Sequence, residues 1–141
     1  MSFFVDTNVV IYSAVESAHR EPCRQILTAI ARGEAEGRTS VAVLEEVWHV
    51  ELSGKAGDIG GLAAHALELF TPLLGVTDEI FRAALSLDGA PIGANDRIHV
   101  ATCAENDIAT IVTADAGFDS VGALSRVDPL DEPALKDLLA T

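Results

Sequence analysis

The sequence is poor in basic side chains, and this shortage is its most unusual property. Its 141 residues include 9 Lys and Arg against 22 Asp and Glu, which gives a formal net charge of −13 at pH 7. Nucleic-acid-binding surfaces draw most of their sequence-independent affinity from Lys and Arg. The composition therefore argues against a broad cationic surface and favours a protein that gathers cations or binds a basic partner. Acidic residues that only keep the surface soluble would explain the total charge equally well.

Cysteine and long apolar runs are also scarce. Cys23 and Cys103 are the two cysteines, and they lie far apart. The sequence therefore indicates neither a disulfide framework nor a zinc site. No apolar run reaches the roughly 18 residues that a membrane span requires, and the segment 1–6 is too short and too acidic for a signal peptide. We expect a cytoplasmic protein without a membrane partner.

The chain does contain enough apolar residues for a core. Hydrophobic residues make up 49% of a chain whose length is typical of one domain, and we expect a single domain over residues 1–141. Apolar strand candidates alternate with helical stretches, which predicts an α/β fold with a mostly parallel central sheet and helices on its faces. Strands are predicted near 3–5, 72–76, 108–113 and 126–130. Helices are predicted from about 7, over 21–32, 40–52 and 62–70, from 77, over 95–106 and from 133.

Acidic residues follow the predicted strands at the edge where parallel sheets bind their ligands. Asp6 and Asp115 come directly where apolar strand candidates end, and Asp96 stands at the start of a predicted helix. The carboxyl ends of parallel strands meet at one edge of the sheet, and ligands collect there. We therefore expect these acids to lie at a candidate site.

Each of these acids also has a structural interpretation. Asp6 and Asp96 can be helix N-caps, and Asp115 can be a turn residue. Either Thr7 or Asn8 can cap the helix after the first strand, because their side-chain oxygens accept from unpaired backbone N–H groups. The sequence thus predicts that Asp6 is free for another task.

Glu46 lies at the edge of an apolar helix face. On the predicted helix 40–52, Glu45 points almost directly away from the centre of that face, whereas Glu46 lies on its rim. The face is formed by Val43, Leu44, Val47 and Val50. A carboxylate at the rim of a buried face needs a partner because burying an unpaired charge is costly, although a solvated rim glutamate remains the alternative.

Convergence of these acids would require a compensating positive charge. Four carboxylates about 5 Å apart, from Asp6, Glu46, Asp96 and Asp115, would repel by roughly 3 kcal/mol per pair at an effective dielectric near 20. Such a cluster persists if some groups hold protons or if a cation lies among them. Carboxylate oxygens suit Mg²⁺ or Mn²⁺. His99 can also be a ligand, but a lone histidine on a mostly apolar helix is more often a core or surface residue.

Four short blocks carry the acids in a fixed order. They are Phe4-Val5-Asp6-Thr7-Asn8, Thr39-Ser40-Val41-Ala42-Val43-Leu44-Glu45-Glu46-Val47, Asn95-Asp96-Arg97-Ile98-His99-Val100-Ala101 and Ile111-Val112-Thr113-Ala114-Asp115-Ala116-Gly117-Phe118-Asp119. In order and spacing they resemble the PIN-domain nucleases, and within them the VapC-type toxins of bacterial type II toxin–antitoxin systems. The resemblance covers nearly the whole chain. It implies a PIN-like α/β/α sandwich with an acidic pocket at the strand ends.

The resemblance also implies an activity and its partners. Members of this family are Mg²⁺- or Mn²⁺-dependent endoribonucleases that cleave RNA, commonly tRNA or rRNA. The toxins are neutralised by a cognate antitoxin, and homodimers are usual. These properties are therefore expected of this chain.

The family's acidic residues transfer onto this chain position by position. Its catalytic quartet falls on Asp6, Glu46, Asp96 and Asp115, of which Asp6, Asp96 and Asp115 would hold the metal. The second acid of the quartet could instead be Glu45, which directly precedes Glu46. Some members of the family have a further acidic residue, and Asp119 matches its position.

Three polar residues would support the acidic quartet. They are Thr7, Asn8 and Thr113, which would orient the carboxylates through hydrogen bonds. Capping and ordinary strand packing would explain the same residues.

Two other classes of protein stay open. A PIN-like fold that has lost catalysis and serves as an interaction module would explain the shortage of RNA-contacting cations. An α/β domain that transfers phosphoryl groups also carries aspartates at strand ends. However, Asp6 lacks a second aspartate two residues further on, and neither Lys55 nor Lys136 follows a predicted strand.

Overall fold

The computed structural model describes residues 1–89 and 91–140, which form a parallel sheet flanked by helices. In chain order the elements are β1 (Ser2–Val5), α1 (Thr7–Tyr12), α2 (Arg20–Ala31), β2 (Glu36–Arg38), α3 (Val41–Ser53), α4 (Leu62–Phe70), α5 (Asp78–Leu85), α6 (Ala94–Glu105), β3 (Thr110–Val112), a 3-10 helix (Ala116–Ser120), β4 (Ser125–Val127) and α7 (Glu132–Ala140). The predicted α/β class with a parallel sheet is confirmed. Within the described ranges, every helix is too short or too polar to cross a membrane.

The order of the strands creates a crevice beside β1. The four strands lie in the order β2-β1-β3-β4, and each neighbouring pair is parallel. From β1 the chain moves to β2 on one side, and it later returns to β3 on the other side. This reversal is a topological switch point, where a crevice opens at the carboxyl ends of two strands. Asp6 follows β1 there, and Thr113 follows β3.

The sheet forms the centre of the hydrophobic core. Strand β1 carries Phe3, Phe4 and Val5 in succession, and all three side chains are buried. Such a continuous apolar run is typical of a central parallel strand that is covered on both faces. The sheet therefore holds the crevice on a rigid base.

The structure differs from the prediction in two elements. No strand was predicted between the helices 21–32 and 40–52, but Gly37 lies there in the edge strand β2. A Cβ at this position would overlap the side chain of Ile30 on α2, so any larger residue here would require Ile30 to shift. The predicted strand at 72–76 is reduced to one isolated bridge between Ser40 and Leu74.

Candidate metal centre

Asp6 is a buried carboxylate at the start of α1. Its side chain accepts hydrogen bonds from the backbone N–H of Thr7 at 2.8 Å and from Oγ1 of Thr113 at 2.7 Å. Asp6 is itself the N-cap of α1, so the prediction that Thr7 or Asn8 caps this helix is wrong. The helix already begins at Thr7, and a capping side chain must come from the residue that precedes the first turn.

Thr113 and Asn8 connect the ends of β1 and β3. The hydroxyl of Thr113 donates to Asp6 and accepts from Nδ2 of Asn8 at 2.8 Å and from the backbone N–H of Asp115 at 3.1 Å. Oδ1 of Asn8 in turn accepts from the backbone N–H of Ala114 at 3.1 Å. These bonds use the full donor and acceptor capacity of the Thr113 hydroxyl. The network fixes the orientation of the Asp6 carboxylate.

Glu46, and not Glu45, reaches the carboxylate of Asp6. Oε1 of Glu46 accepts from Oγ1 of Thr7 at 3.0 Å and lies 2.7 Å from Nε2 of His99. Glu45 is exposed. The helical geometry that places Glu46 on the rim of the apolar face therefore also directs it into the crevice.

His99, which the sequence offered only as a possible ligand, belongs to the cluster. Its side chain is fully buried, and its Nε2 lies 2.7 Å from Glu46 and 3.8 Å from Oδ1 of Asp6. The spacing of Asp96 and His99 places them on one helix face, but sequence alone cannot show that an acid from another helix approaches it. In the part of the chain that the structure describes, Nδ1 of His99 has no hydrogen-bond partner.

Asp96 and Asp115 lie around this buried centre. Asp96 is in the first turn of α6, whose N-cap is Gly93, so the structural interpretation of Asp96 as an N-cap is wrong. Asp115 is exposed, precedes the 3-10 helix and accepts from the backbone N–H of Gly117 at 2.8 Å. Asp115 is therefore a turn residue, as its structural interpretation predicted. The charges of Asp6 and Asp115 both raise the pKa of Asp96, which places each of these two acids within electrostatic reach of Asp96.

The pKa values of three groups in the cluster are shifted toward their protonated forms. Burial, and then the charge of Asp6, raise the pKa of Asp96 to about 6, and burial also raises the pKa of Asp6. Burial lowers the pKa of His99, but the hydrogen bond to Glu46 and the charge of Asp6 outweigh it, so its pKa lies above the ordinary value. The cluster thus favours bound protons or a cation.

The side chains fit a divalent cation. Asp6, Glu46 and His99 each offer one ligand atom, and these three atoms lie within 4.8 Å of one another. Carboxylate oxygens suit hard ions such as Mg²⁺, and a neighbouring imidazole nitrogen adds a donor that Mn²⁺ also accepts.

The parallel sheet and its acidic crevice agree with the family that the sequence comparison identifies. The model of the PIN domain family matches residues 3–124, and the chain belongs to this family, as its motifs predicted. It is 28% identical to Ribonuclease VapC13 of Mycobacterium tuberculosis over 134 residues, which cover 87% of this chain and 97% of that protein.

Solved structures have the same fold. VapBC2 from Rickettsia felis, bound to a DNA fragment from its promoter, matches with a TM-score of 0.69 at 19% identity, over 91% of this chain and 98% of that chain. VapC20 of Mycobacterium tuberculosis, described as a Sarcin-Ricin loop cleaving toxin, matches with a TM-score of 0.68 at 20% identity, over 85% and 95% of the two chains.

Proposed function

We propose that this chain is a Mg²⁺- or Mn²⁺-dependent endoribonuclease, the toxin of a toxin–antitoxin pair. The observation that carries the proposal is the cluster of Asp6, Glu46 and His99, with Asp96 in electrostatic reach, at the switch point of a PIN-family sheet. The names of the related VapC proteins, a ribonuclease and a toxin that cleaves the Sarcin-Ricin loop, support RNA as the substrate. We expect tRNA or rRNA.

Each side chain has a role in the proposed reaction. Asp6, Asp96 and Asp115 would hold the cation, and Glu46 would orient the attacking water. A bound cation lowers the pKa of water and neutralises charge on the phosphate and the leaving oxygen. His99 holds the carboxylate of Glu46 in place through the contact of 2.7 Å.

An RNA cleavage assay tests this function. The purified chain is incubated with tRNA and with rRNA fragments, with Mn²⁺ or with a chelator. We expect cleavage with the metal, none with the chelator, and recovery when excess Mn²⁺ is added. Cleavage that persists in the chelator would contradict metal dependence, whereas a metal-binding chain that cleaves no RNA would favour an interaction module.

Glu46→Gln is expected to reduce RNA cleavage by about 10- to 100-fold. Glutamine keeps the size of the side chain and can still accept from Thr7, but it loses the charge that faces the cation. Glu45→Gln is the matched control, because it removes the same charge one residue away on an exposed side chain. We expect Glu45→Gln to cleave at the wild-type rate, and equal losses in both variants would contradict the assignment.

The antitoxin is proposed to bind between α3 and α4. A groove of about 490 Å³ lies there, with the side chains of Trp48 and Leu67 on its walls and Glu51 at its margin. Both apolar side chains are about half exposed. Such a groove suits the apolar face of an amphipathic helix, and the net charge of −13 favours basic residues on its flanks.

A second apolar surface, on α5, is proposed to pair two copies of the chain. Phe81 and Leu85 are exposed on one face of this helix, which also carries Asp78 in its first turn and Arg82 in its last turn. When two copies of α5 pack antiparallel, Arg82 of each chain lies near the acidic end of the other. A two-fold contact is therefore self-complementary in charge.

Light scattering tests the proposed dimer. The isolated chain is expected at twice its own mass, and Leu85→Glu is expected to shift it to the mass of one chain because the charge cannot be buried in an apolar contact. Leu67→Glu places the same charge in the α3–α4 groove and should leave the dimer intact. A wild-type chain that is monomeric would contradict the dimer.

A further inference from the structure

Arg126 connects three segments at the edge of the proposed site. It lies on β4, and its side chain is 14% exposed. The guanidinium forms a two-pronged contact with Asp119, with Nε 2.9 Å from Oδ1 and Nη2 3.2 Å from Oδ2. Its Nη1 donates to the backbone oxygen of Thr113 at 3.1 Å and to Oδ2 of Asp128 at 3.3 Å.

Asp119 therefore already has a partner for each of its oxygens. Bidentate arginine–carboxylate contacts are charge-assisted and geometrically specific, so Arg126 fixes the orientation of the Asp119 carboxylate. The guanidinium also ties the 3-10 helix, which carries Asp119, to the end of β3. This distinguishes Asp119 from the acids of the crevice.

The same contacts fix both ends of the segment that carries Asp115. At the start of segment 113–120, Arg126 binds the backbone of Thr113, whose hydroxyl accepts from the N–H of Asp115. At its end, Arg126 binds Asp119. Asp115 is exposed, and its carboxylate is held within this segment by the N–H of Gly117, so the tethers at the two ends position the segment and the carboxylate with it.

We propose that Arg126 is a positioning residue that holds Asp115 at the cation site by clamping segment 113–120, with Asp119 as the anchor of the clamp and not as a metal ligand. This proposal rests on the proposed metal-dependent function. It predicts that replacing Arg126 and replacing Asp119 both weaken cation binding, although the two side chains carry opposite charges.

Calorimetric titration with Mn²⁺ tests the proposal on Asp119→Asn, Arg126→Gln and the double variant. We expect each single variant to bind Mn²⁺ about tenfold more weakly, and the double variant to bind no more weakly than either single one. Loss of a positive charge at Arg126 would by itself strengthen cation binding, so a weaker affinity in Arg126→Gln must come from lost positioning. If only Asp119→Asn weakens binding, Asp119 is a ligand and the proposal is overturned.

Amide hydrogen exchange supplies a readout that does not depend on the metal. Segment 113–120 should exchange faster in Asp119→Asn and Arg126→Gln, with unchanged exchange in the core strand β1 as proof of folding. Arg126→Lys keeps the charge but loses the two-pronged contact, and it should show the same effect. Unchanged exchange in these variants would overturn the clamp, whereas a wild-type chain that binds no Mn²⁺ would overturn the proposed function.

Asp128→Asn is the matched control for both measurements. Asp128 also contacts Arg126, but it lies after β4 and outside the clamped segment. We expect wild-type Mn²⁺ affinity and wild-type exchange in segment 113–120. An effect as large as that of Asp119→Asn would overturn the proposal, because any disturbance of Arg126 would then be sufficient to weaken Mn²⁺ binding and to speed exchange.

Discussion

Replacing Asp6 by asparagine is expected to reduce metal-dependent RNA cleavage on the order of a hundredfold to a thousandfold, as when one preorganised electrostatic group is removed from an active site. Asp6 is 5% exposed, and it occupies the centre of the cluster beside Glu46 and His99. Asparagine leaves the site with one fewer negative charge for the cation. The expected loss therefore concerns the reaction and the metal, and not the fold.

The variant is expected to remain folded because asparagine caps helices about as well as aspartate, with some loss of stability because the bond from the Thr113 hydroxyl is lost. The amide oxygen can still accept from the N–H of Thr7, which Asp6 does at 2.8 Å. The cleavage rate and the circular dichroism spectrum are measured together, with Asp58→Asn as a control at an exposed loop aspartate. An Asp6→Asn variant that is folded and cleaves RNA at the wild-type rate would contradict the proposed site.

Replacing Asp96 by asparagine is expected to stabilise the metal-free chain at neutral pH while it abolishes metal-induced stabilisation. Burial and the nearby carboxylates raise the pKa of Asp96 to about 6, so at pH 7 the folded chain holds an unfavourable charge. Asparagine resembles the protonated, neutral form. Because the group is only half-buried, we expect a gain of roughly 1 kcal/mol, or about 3 °C in Tm.

The pH dependence follows from the direction of this shift. Between the unfolded value of 3.8 and the folded value of about 6, the folded chain binds more protons than the unfolded chain. The stabilisation from this group is therefore complete below pH 3.8 and is lost as the pH rises through 6. Asp96→Asn should have the Tm of the wild-type chain at pH 4 and a higher Tm at pH 7.

Thermal unfolding with and without Mn²⁺ checks both parts of this prediction. The wild-type chain should gain more from Mn²⁺ at pH 7 than at pH 5, because protons compete with the cation for the carboxylates. Asp96→Asn should gain little at either pH. A variant that is less stable than the metal-free wild-type chain at pH 7 would show that Asp96 has a structural role instead.

Local patterns were sufficient for most of the fold. Thr77 precedes two acids and an apolar run, and it caps α5 with its side chain as such a pattern predicts. The buried run of β1 likewise shows in the sequence. The edge strand β2 could not be predicted, because it has only three residues and one of them, Gly37, has a low strand propensity.

The sequence predicted only part of the site. Acids after strands, together with the rim position of Glu46, located the crevice because strand ends and helix faces are local properties. The role of His99 depends on how α3 packs against α6, and no local pattern encodes that contact. The same is true of Asp119, whose partner Arg126 lies on a neighbouring strand.

Binding of a divalent cation to the metal-free chain tests the central claim most directly. Mn²⁺ is titrated into the wild-type chain and into Asp6→Asn at pH 7, and the heat is recorded. We predict saturable binding at a fixed stoichiometry in the wild-type chain, and its loss in the variant. Absence of saturable binding, or equal binding by the two chains, would contradict a metal centre built on Asp6, Glu46, Asp96 and Asp115.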